Sequence, residues 1–228
     1  MRSAQHKSVS GFGREKTPPV YCCPRCVRLL RKEGCTVVRT YKEILQSRLS
    51  DYRYRHSLCV ATSAVELAER YGADVEKAFL AGLLHDITKE ADQAEHFALF
   101  SIGSITLTQA EERNPKLWHA MSAPIFLKEK LNITDDEILT AVRYHTTARA
   151  NMTLLEKVIY IADFISADRE YDDVDVVRDL AKKGIGETML YTLNYSIREL
   201  LERGCAIHPD SIACYNETVL NKEQKSEI

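Results

Sequence analysis

The chain has 228 residues and a net charge of −2, with 45% hydrophobic and 28% charged residues. This balance is typical of a globular protein with a sizeable core, and it provides no basic field for binding nucleic acid. No apolar run is long enough to cross a membrane, and the first residues lack the apolar stretch of a secretory signal. We therefore expect a cytoplasmic protein without nucleic-acid or membrane partners.

The first 40 residues differ in character from the rest of the chain. Residues 1–20 are polar and show no apolar periodicity, which predicts a disordered or loosely structured extension over residues 1–40. Cys23 and Cys26 have zinc-ligand spacing, with Cys22 and Cys35 nearby, so a zinc site is the alternative interpretation. No second Cys-x-x-Cys pair follows, so incidental thiols are favoured over zinc.

Helical periodicity begins near residue 41 and continues to about residue 221, which leaves residues 222–228 as a tail. Only residues 36–40 alternate in the manner of a strand. The fold is therefore predicted to be all-α, a helical bundle in one domain over residues 41–221.

Several residues mark where the predicted helices begin and end. Gly72 is placed to end one helix, and Asp74 to cap the next. Thr134 and Thr153 each precede a glutamate by three residues, the spacing of a capping box.

An apolar helical run ends in His85 and Asp86, two adjacent residues of types that both bind divalent metals. Four further candidate ligands lie on the apolar faces of predicted helices: His56, His119, His145 and Asp163. Taken singly, each histidine is more often a satisfied core residue, and the aspartate could be a buried hydrogen-bond hub. Together, four inward imidazoles and two inward carboxylates need a common partner to offset their desolvation, which predicts a metal centre.

This order of ligands resembles the HD-domain superfamily of metal-dependent phosphohydrolases, in particular its two-metal members. The chain is most similar to the branch of symmetrical diadenosine tetraphosphate hydrolases. The resemblance covers about residues 41–220 and is carried by residues 52–57 (YRYRHS), 81–86 (AGLLHD), 144–149 (YHTTAR) and 154–163 (LLEKVIYIAD). The chain departs from that branch at Ala148 and Asn151, where glycine is usual, and at residues 166–169 (SADR), where Glu-Pro-Gly-Arg is more typical.

The resemblance implies one or two divalent ions, iron rather than manganese, and a metal-activated water that cuts diadenosine tetraphosphate into two ADP. One metal would be held by His56, His85, Asp86 and Asp163, with Asp86 bridging to a second metal held by His119 and His145. The predicted catalytic residues are His85, Asp86 and Lys89. The predicted substrate contacts are Lys89, His119, His145, Thr146, Thr147, Arg149, Asp163 and Arg169. A homodimer is also implied.

Other interpretations remain open. Lys89 and Arg169 could be solvated surface charges, as could Arg53 and Arg55 beside His56. The chain could be another HD-type nucleotide phosphohydrolase, such as a deoxynucleotide phosphatase or a cyclic-dinucleotide phosphodiesterase. It could also be a non-catalytic nucleotide-binding module with a stabilising metal, although the presence of all six ligand types disfavours this.

Overall fold

The computed structural model describes the backbone of residues 36–226 and the side chains of residues 40–221. The described chain forms eleven α-helices and one short 3₁₀-helix, Pro115–Leu117, and contains no strand. The prediction of an all-α fold is confirmed. The helices are α1 (Thr36–Arg48), α2 (Asp51–Tyr71), α3 (Val75–Leu84), α4 (Gln93–Ile102), α5 (Gln109–Glu112), α6 (Trp118–Leu131), α7 (Asp136–Tyr144), α8 (Leu154–Ile165), α9 (Val174–Lys183), α10 (Ile185–Glu202) and α11 (Pro209–Ser226).

Two predicted boundaries fall inside helices. Residues 36–40, which alternate like a strand in sequence, form the start of α1, which therefore begins before residue 41. At the other end, α11 continues beyond residue 221. The alternative zinc site of Cys22, Cys23, Cys26 and Cys35 lies outside the described residues, as does most of the predicted extension.

Local capping chemistry sets the ends of the helices around the core. Gly72 is left-handed with φ 79° and closes α2, and the Asp74 side chain accepts hydrogen bonds from the first turn of α3. Thr153 forms a capping box with Glu156 at the start of α8, as predicted. The expected box at Thr134 is wrong by one residue, because the Asp135 carboxylate accepts the hydrogen bonds of the first turn of α7.

The centre of the core is built by α2, α3 and α8, which contact one another. Residues 158–162 of α8 are all buried, as their continuous apolar sequence predicts. The α2 and α3 helices approach closely at Gly82, where an added Cβ would lie 2.9 Å from the Cα of Ala61. This close approach brings the middle of α2 and the last turn of α3 together.

The first described helix is fastened to the turn that follows α3. The Arg48 guanidinium donates to the Ile87 carbonyl at 3.2 Å and to Glu95 at 2.6 Å, and it stacks over the Phe126 ring. Leu45 and Leu49 of the same helix are buried. Thus α1 is an integral part of the bundle.

In the described part of the chain, no helix combines the length and the hydrophobicity needed to span a membrane.

Candidate metal centre

The six predicted ligands lie at helix ends that face one another. His56 is in the second turn of α2, His85 directly follows α3, and His145 directly follows α7. His119 is in the first turn of α6, and Asp163 is in the last turn of α8. The histidines and Asp86 are buried, whereas 19% of the Asp163 side chain is exposed. The structure therefore brings all six side chains to one place, although they span more than 100 positions in sequence.

Asp86 lies at the middle of this cluster. Its Oδ1 is 3.1 Å from Nε2 of His119 and 3.4 Å from Nε2 of His145. Its Oδ2 is 3.6 Å from Nε2 of His85 and 4.0 Å from Nε2 of His56. The two carboxylate oxygens thus face different pairs of histidines, as a bridging ligand requires.

Two sets of three donor atoms lie close enough together to share an ion. One set is His56, His85 and Asp163, and the other is His85, Asp86 and His145, with donor atoms within 4.8 Å of one another in each. His119 belongs to neither set, but its Nε2 lies 3.1 Å from Nε2 of His145. The ligand assignment made from the sequence remains a prediction.

Hydrogen bonds on the outer side of the rings settle which nitrogen faces the centre. Nδ1 of His85 lies 2.8 Å from the Gly82 carbonyl oxygen, and Nδ1 of His145 lies 2.6 Å from the Val142 carbonyl oxygen. A carbonyl oxygen can only accept, so Nδ1 is the protonated nitrogen in both rings. Nε2 is then the nitrogen of each ring that faces Asp86 and is placed to bind a metal, the arrangement found in metal-ligating histidines.

Burial keeps two of the imidazoles neutral. It lowers the pKa of His85 to about 3 and the pKa of His119 to about 4, against the partial opposition of the nearby Asp86 carboxylate. Burial acts to raise the pKa of Asp86, but the surrounding histidines, His85 first, hold it well below its ordinary value. Neutral imidazoles around ionised carboxylates are the state in which these groups bind metal.

His56 differs from the other histidines because two carboxylates touch it. Its Nε2 lies 3.0 Å from Oδ1 of Asp163, and its Nδ1 lies 2.8 Å from Oδ2 of Asp168. Burial acts to lower the pKa of His56, and the two carboxylates outweigh this and raise it to about 9. Metal binding at Nε2 would therefore displace a proton from this ring.

Orphaned polar atoms provide a test of whether a cation fits these residues. Nε2 of His56, Nε2 of His85 and Oδ1 of Asp86 are buried, and no group in the described residues gives them a well-formed hydrogen bond. Buried polar atoms are normally satisfied, so three such atoms within one cluster indicate that a further ligand belongs there. Imidazole nitrogens and carboxylate oxygens together suit a divalent metal ion. The residues therefore fit a divalent metal centre.

Cationic side chains border the open side of the cluster. Nζ of Lys89 lies 3.4 Å from Oδ1 of Asp86 and 2.9 Å from Nε2 of His119. The Arg169 guanidinium pairs with the Asp163 carboxylate, and an Arg53 nitrogen lies 3.6 Å from Oδ2 of Asp86. Between a quarter and a third of each of these three side chains is exposed. An anionic ligand that reaches the buried carboxylates and imidazoles from this side meets positive charge.

The other predicted substrate contacts divide into two groups. Thr146 is exposed, with its hydroxyl 3.3 Å from Nε2 of His119. The Thr147 hydroxyl instead donates to the Ala148 carbonyl, and the Arg149 guanidinium binds both oxygens of the fully buried Glu156. The hydrogen bonds of Thr147 and Arg149 are thus directed at the surrounding fold, and substrate contact by either remains a prediction.

The comparisons with known proteins agree with this geometry. The family model described as "HD domain" matches residues 53–168. A symmetrical bis(5′-nucleosyl)-tetraphosphatase of Bacillus subtilis (strain 168) is 35% identical over 172 residues, which are 75% of this chain and 92% of that protein. The chain belongs to the HD-domain family.

Two further relatives extend the likeness of this HD-domain protein. A symmetrical bis(5′-nucleosyl)-tetraphosphatase of Halalkalibacterium halodurans is 36% identical over 183 residues, covering 80% of this chain and 96% of that one. A crystal structure from Clostridium acetobutylicum, described as a predicted HD superfamily hydrolase involved in NAD metabolism, superimposes with a TM-score of 0.78 at 34% identity. The superposition covers 80% of this chain and 97% of that structure. The HD-domain protein is thus similar to these hydrolases over nearly their whole length.

Proposed function

We propose that this HD-domain protein hydrolyses diadenosine tetraphosphate symmetrically to two ADP. The observation that carries the proposal is the convergence of the six ligand side chains beneath the positive side chains of Arg53, Lys89 and Arg169. The names of the B. subtilis and H. halodurans relatives support this substrate.

The metal we propose is iron, with manganese as the alternative, held by the six residues assigned from the sequence. When bound, it supplies a water of lowered pKa and positive charge for the phosphate oxygens. A mixed imidazole and carboxylate donor set supports either metal.

The protein's own residues bind and orient the polyphosphate. Lys89 lies on the Asp86 side of the cluster and Arg169 on the Asp163 side, so a chain of phosphates that crosses the cluster meets a cation on each side. These cations, together with Arg53, stabilise the negative charge that spreads over the phosphoryl oxygens during transfer. Cations on both sides of the cluster can hold the phosphates on either side of the scissile bond of a symmetric substrate.

Three further statements belong to the same proposal. The chain folds as one catalytic domain over about residues 41–221. It acts in the cytoplasm, which is supported by Cys59, Cys205 and Cys214 remaining thiols in the described structure. It forms a homodimer, which is supported by the family resemblance alone.

The test is product analysis with the purified protein loaded with iron or, separately, with manganese. We expect diadenosine tetraphosphate to give ADP as the single nucleotide product. Formation of ATP and AMP would contradict symmetric cleavage. Cleavage of a deoxynucleotide or a cyclic dinucleotide, with diadenosine tetraphosphate untouched, would support another HD-type phosphohydrolase instead.

Asp86→Asn tests the role of the metal centre in this reaction. We expect it to lower activity by more than the 10- to 100-fold, roughly, that is lost when outer partners of metal ligands are removed. The matched control is Asp179→Asn on α9, which changes a carboxylate whose side chain is 67% exposed and should leave activity unchanged. Full activity in Asp86→Asn would refute metal catalysis, and metal uptake without turnover in the unaltered protein would favour a non-catalytic module.

A further inference from the structure

The turn that follows α8 contacts the metal centre on the Nδ1 side of His56. Ser166 ends the helix, and the backbone N–H of Arg169 donates to its carbonyl at 3.0 Å. The Arg178 guanidinium of α9 donates to the carbonyls of Ile165, Ser166 and Arg169, at distances between 2.9 and 3.2 Å. Three carbonyls held by one side chain fix the path of this turn, and Asp168 lies within it.

Asp168 contacts the one histidine of the cluster that is anchored by a carboxylate. Its Oδ2 accepts from Nδ1 of His56 at 2.8 Å, and its side chain is only 18% exposed. His85 and His145 are anchored by backbone carbonyls, which carry no net charge. A hydrogen bond to a charged carboxylate is stronger than one to a neutral carbonyl, so Asp168 orients the His56 ring more firmly than a carbonyl would.

The position of His56 explains why it needs this partner. His85 and His145 follow the last residue of their helices and reach a carbonyl three residues earlier in the chain. His56 lies inside α2, and its ring projects away from that helix toward Asp163 of α8. The hydrogen-bond partner of its Nδ1 lies outside α2. It is the Asp168 carboxylate, in the turn that Arg178 holds.

We propose that Asp168 is a positioning residue, whose carboxylate holds the His56 ring with Nε2 toward Asp163 and His85 and thereby sets the affinity for the divalent metal. Outer carboxylates that bind a ligating histidine fix its tautomer and raise its basicity as a ligand. The inference rests on the metal centre of the proposed function and is independent of the substrate.

The test measures the dissociation constant for Mn²⁺ alone, by competition with a chelating dye, in the unaltered protein, Asp168→Ala and Asp168→Asn. We expect Asp168→Ala to bind about 10- to 100-fold more weakly. Asp168→Asn keeps an acceptor oxygen but loses the charge, so we expect it to bind more weakly than the unaltered protein and no more weakly than Asp168→Ala. The matched control is Asp172→Asn in the same loop, which changes an exposed carboxylate and should leave the constant unchanged.

Thermal unfolding of each metal-free protein distinguishes a variant that misplaces the His56 ring from a variant that does not fold. At saturating Mn²⁺, Asp168→Ala should recover most of its turnover, whereas Asp86→Asn should not. An unaltered dissociation constant in either folded variant overturns the inference, and Asp168→Asn alone decides if Asp168→Ala does not fold. If the unaltered protein binds no Mn²⁺, the metal centre itself is wrong, which is a different outcome from equal binding by all variants.

Discussion

Replacing Gly82 by alanine tests the close contact on which the metal centre is built. A Cβ at this position would lie 2.9 Å from the Cα of Ala61, 3.2 Å from its nitrogen and 3.2 Å from the Cβ of Ala64. Two of these atoms are backbone, so α2 and α3 have to move apart to admit the methyl group. Overpacking of this kind costs about 1–3 kcal/mol.

The same substitution also has a favourable effect, because alanine is preferred over glycine within a helix by about 1 kcal/mol. The net change for Gly82→Ala is therefore a loss of about 0–2 kcal/mol in the free energy of unfolding. Gly186 in α10 is the matched control, since a Cβ there meets nothing within 4 Å. Gly186→Ala should then gain up to about 1 kcal/mol, whereas Gly82→Ala should gain nothing.

The assay is thermal unfolding of both variants, followed by far-ultraviolet circular dichroism. For a chain of this size, each 1 kcal/mol changes the Tm by about 2–4 °C. Nδ1 of His85 is bound to the Gly82 carbonyl, so Gly82→Ala should also weaken metal binding, whereas Gly186→Ala should not. A Tm that rises equally in both variants would refute the close approach of α2 and α3.

The remaining predictions concern other parts of the fold. Ser104 is exposed and has φ 52°, a left-handed backbone that suits glycine, so Ser104→Gly should raise the free energy of unfolding by up to about 1 kcal/mol in a denaturant titration; a decrease would show that this strain is absent. Arg149→Met should lower it by about 2 kcal/mol, because the buried Glu156 carboxylate loses its charged partner, and adding Glu156→Gln should restore part of the loss; equal stability of Arg149→Met would refute the pairing. Burial acts to raise the pKa of Glu111, but hydrogen bonds from Thr108 and His208 lower it below its ordinary 4.5. The stability from Glu111 is therefore complete above that pH and is lost as the pH falls through the lower folded value, so Glu111→Gln should flatten the fall in Tm at acid pH. The same fall in Tm at acid pH in Glu111→Gln as in the unaltered protein would contradict this contribution of Glu111.

Helical periodicity was sufficient to predict that the candidate ligands on the helices are buried. His56 shares its apolar stripe with Val60 and Ala64, and His145 follows Val142 by three residues, so each ring had to face the core once the helices packed. That is why the all-α fold and the meeting of these side chains could be predicted without coordinates.

Residues outside that periodicity could not be found in the same way. Asp168 lies in a turn, where spacing from Asp163 does not determine direction, and its role depends on how Arg178 holds that turn. Glu156 was predicted only as a member of the capping box, yet its oxygens also bind Arg149, because a carboxylate has room for several donors. The pairing of Arg149 depends on this second use of Glu156, which no sequence pattern displays.

Two departures from the usual sequence of the family have a backbone explanation. Ala148 and Asn151, which stand where glycine is usual, have φ 54° and φ 56°. Glycine adopts these left-handed conformations without strain, so the backbone at both positions suits the glycine that the resemblance implies there.

The anchoring of α1 decides how this protein can be shortened. The family match begins at residue 53. A protein that started there would lack α1 and the buried side chains of Leu45 and Leu49. It would also leave the Ile87 carbonyl, one residue after Asp86, without the guanidinium of Arg48. The smallest piece worth expressing for crystals or spectroscopy therefore starts at or before Thr36, well ahead of residue 53, where the family match begins.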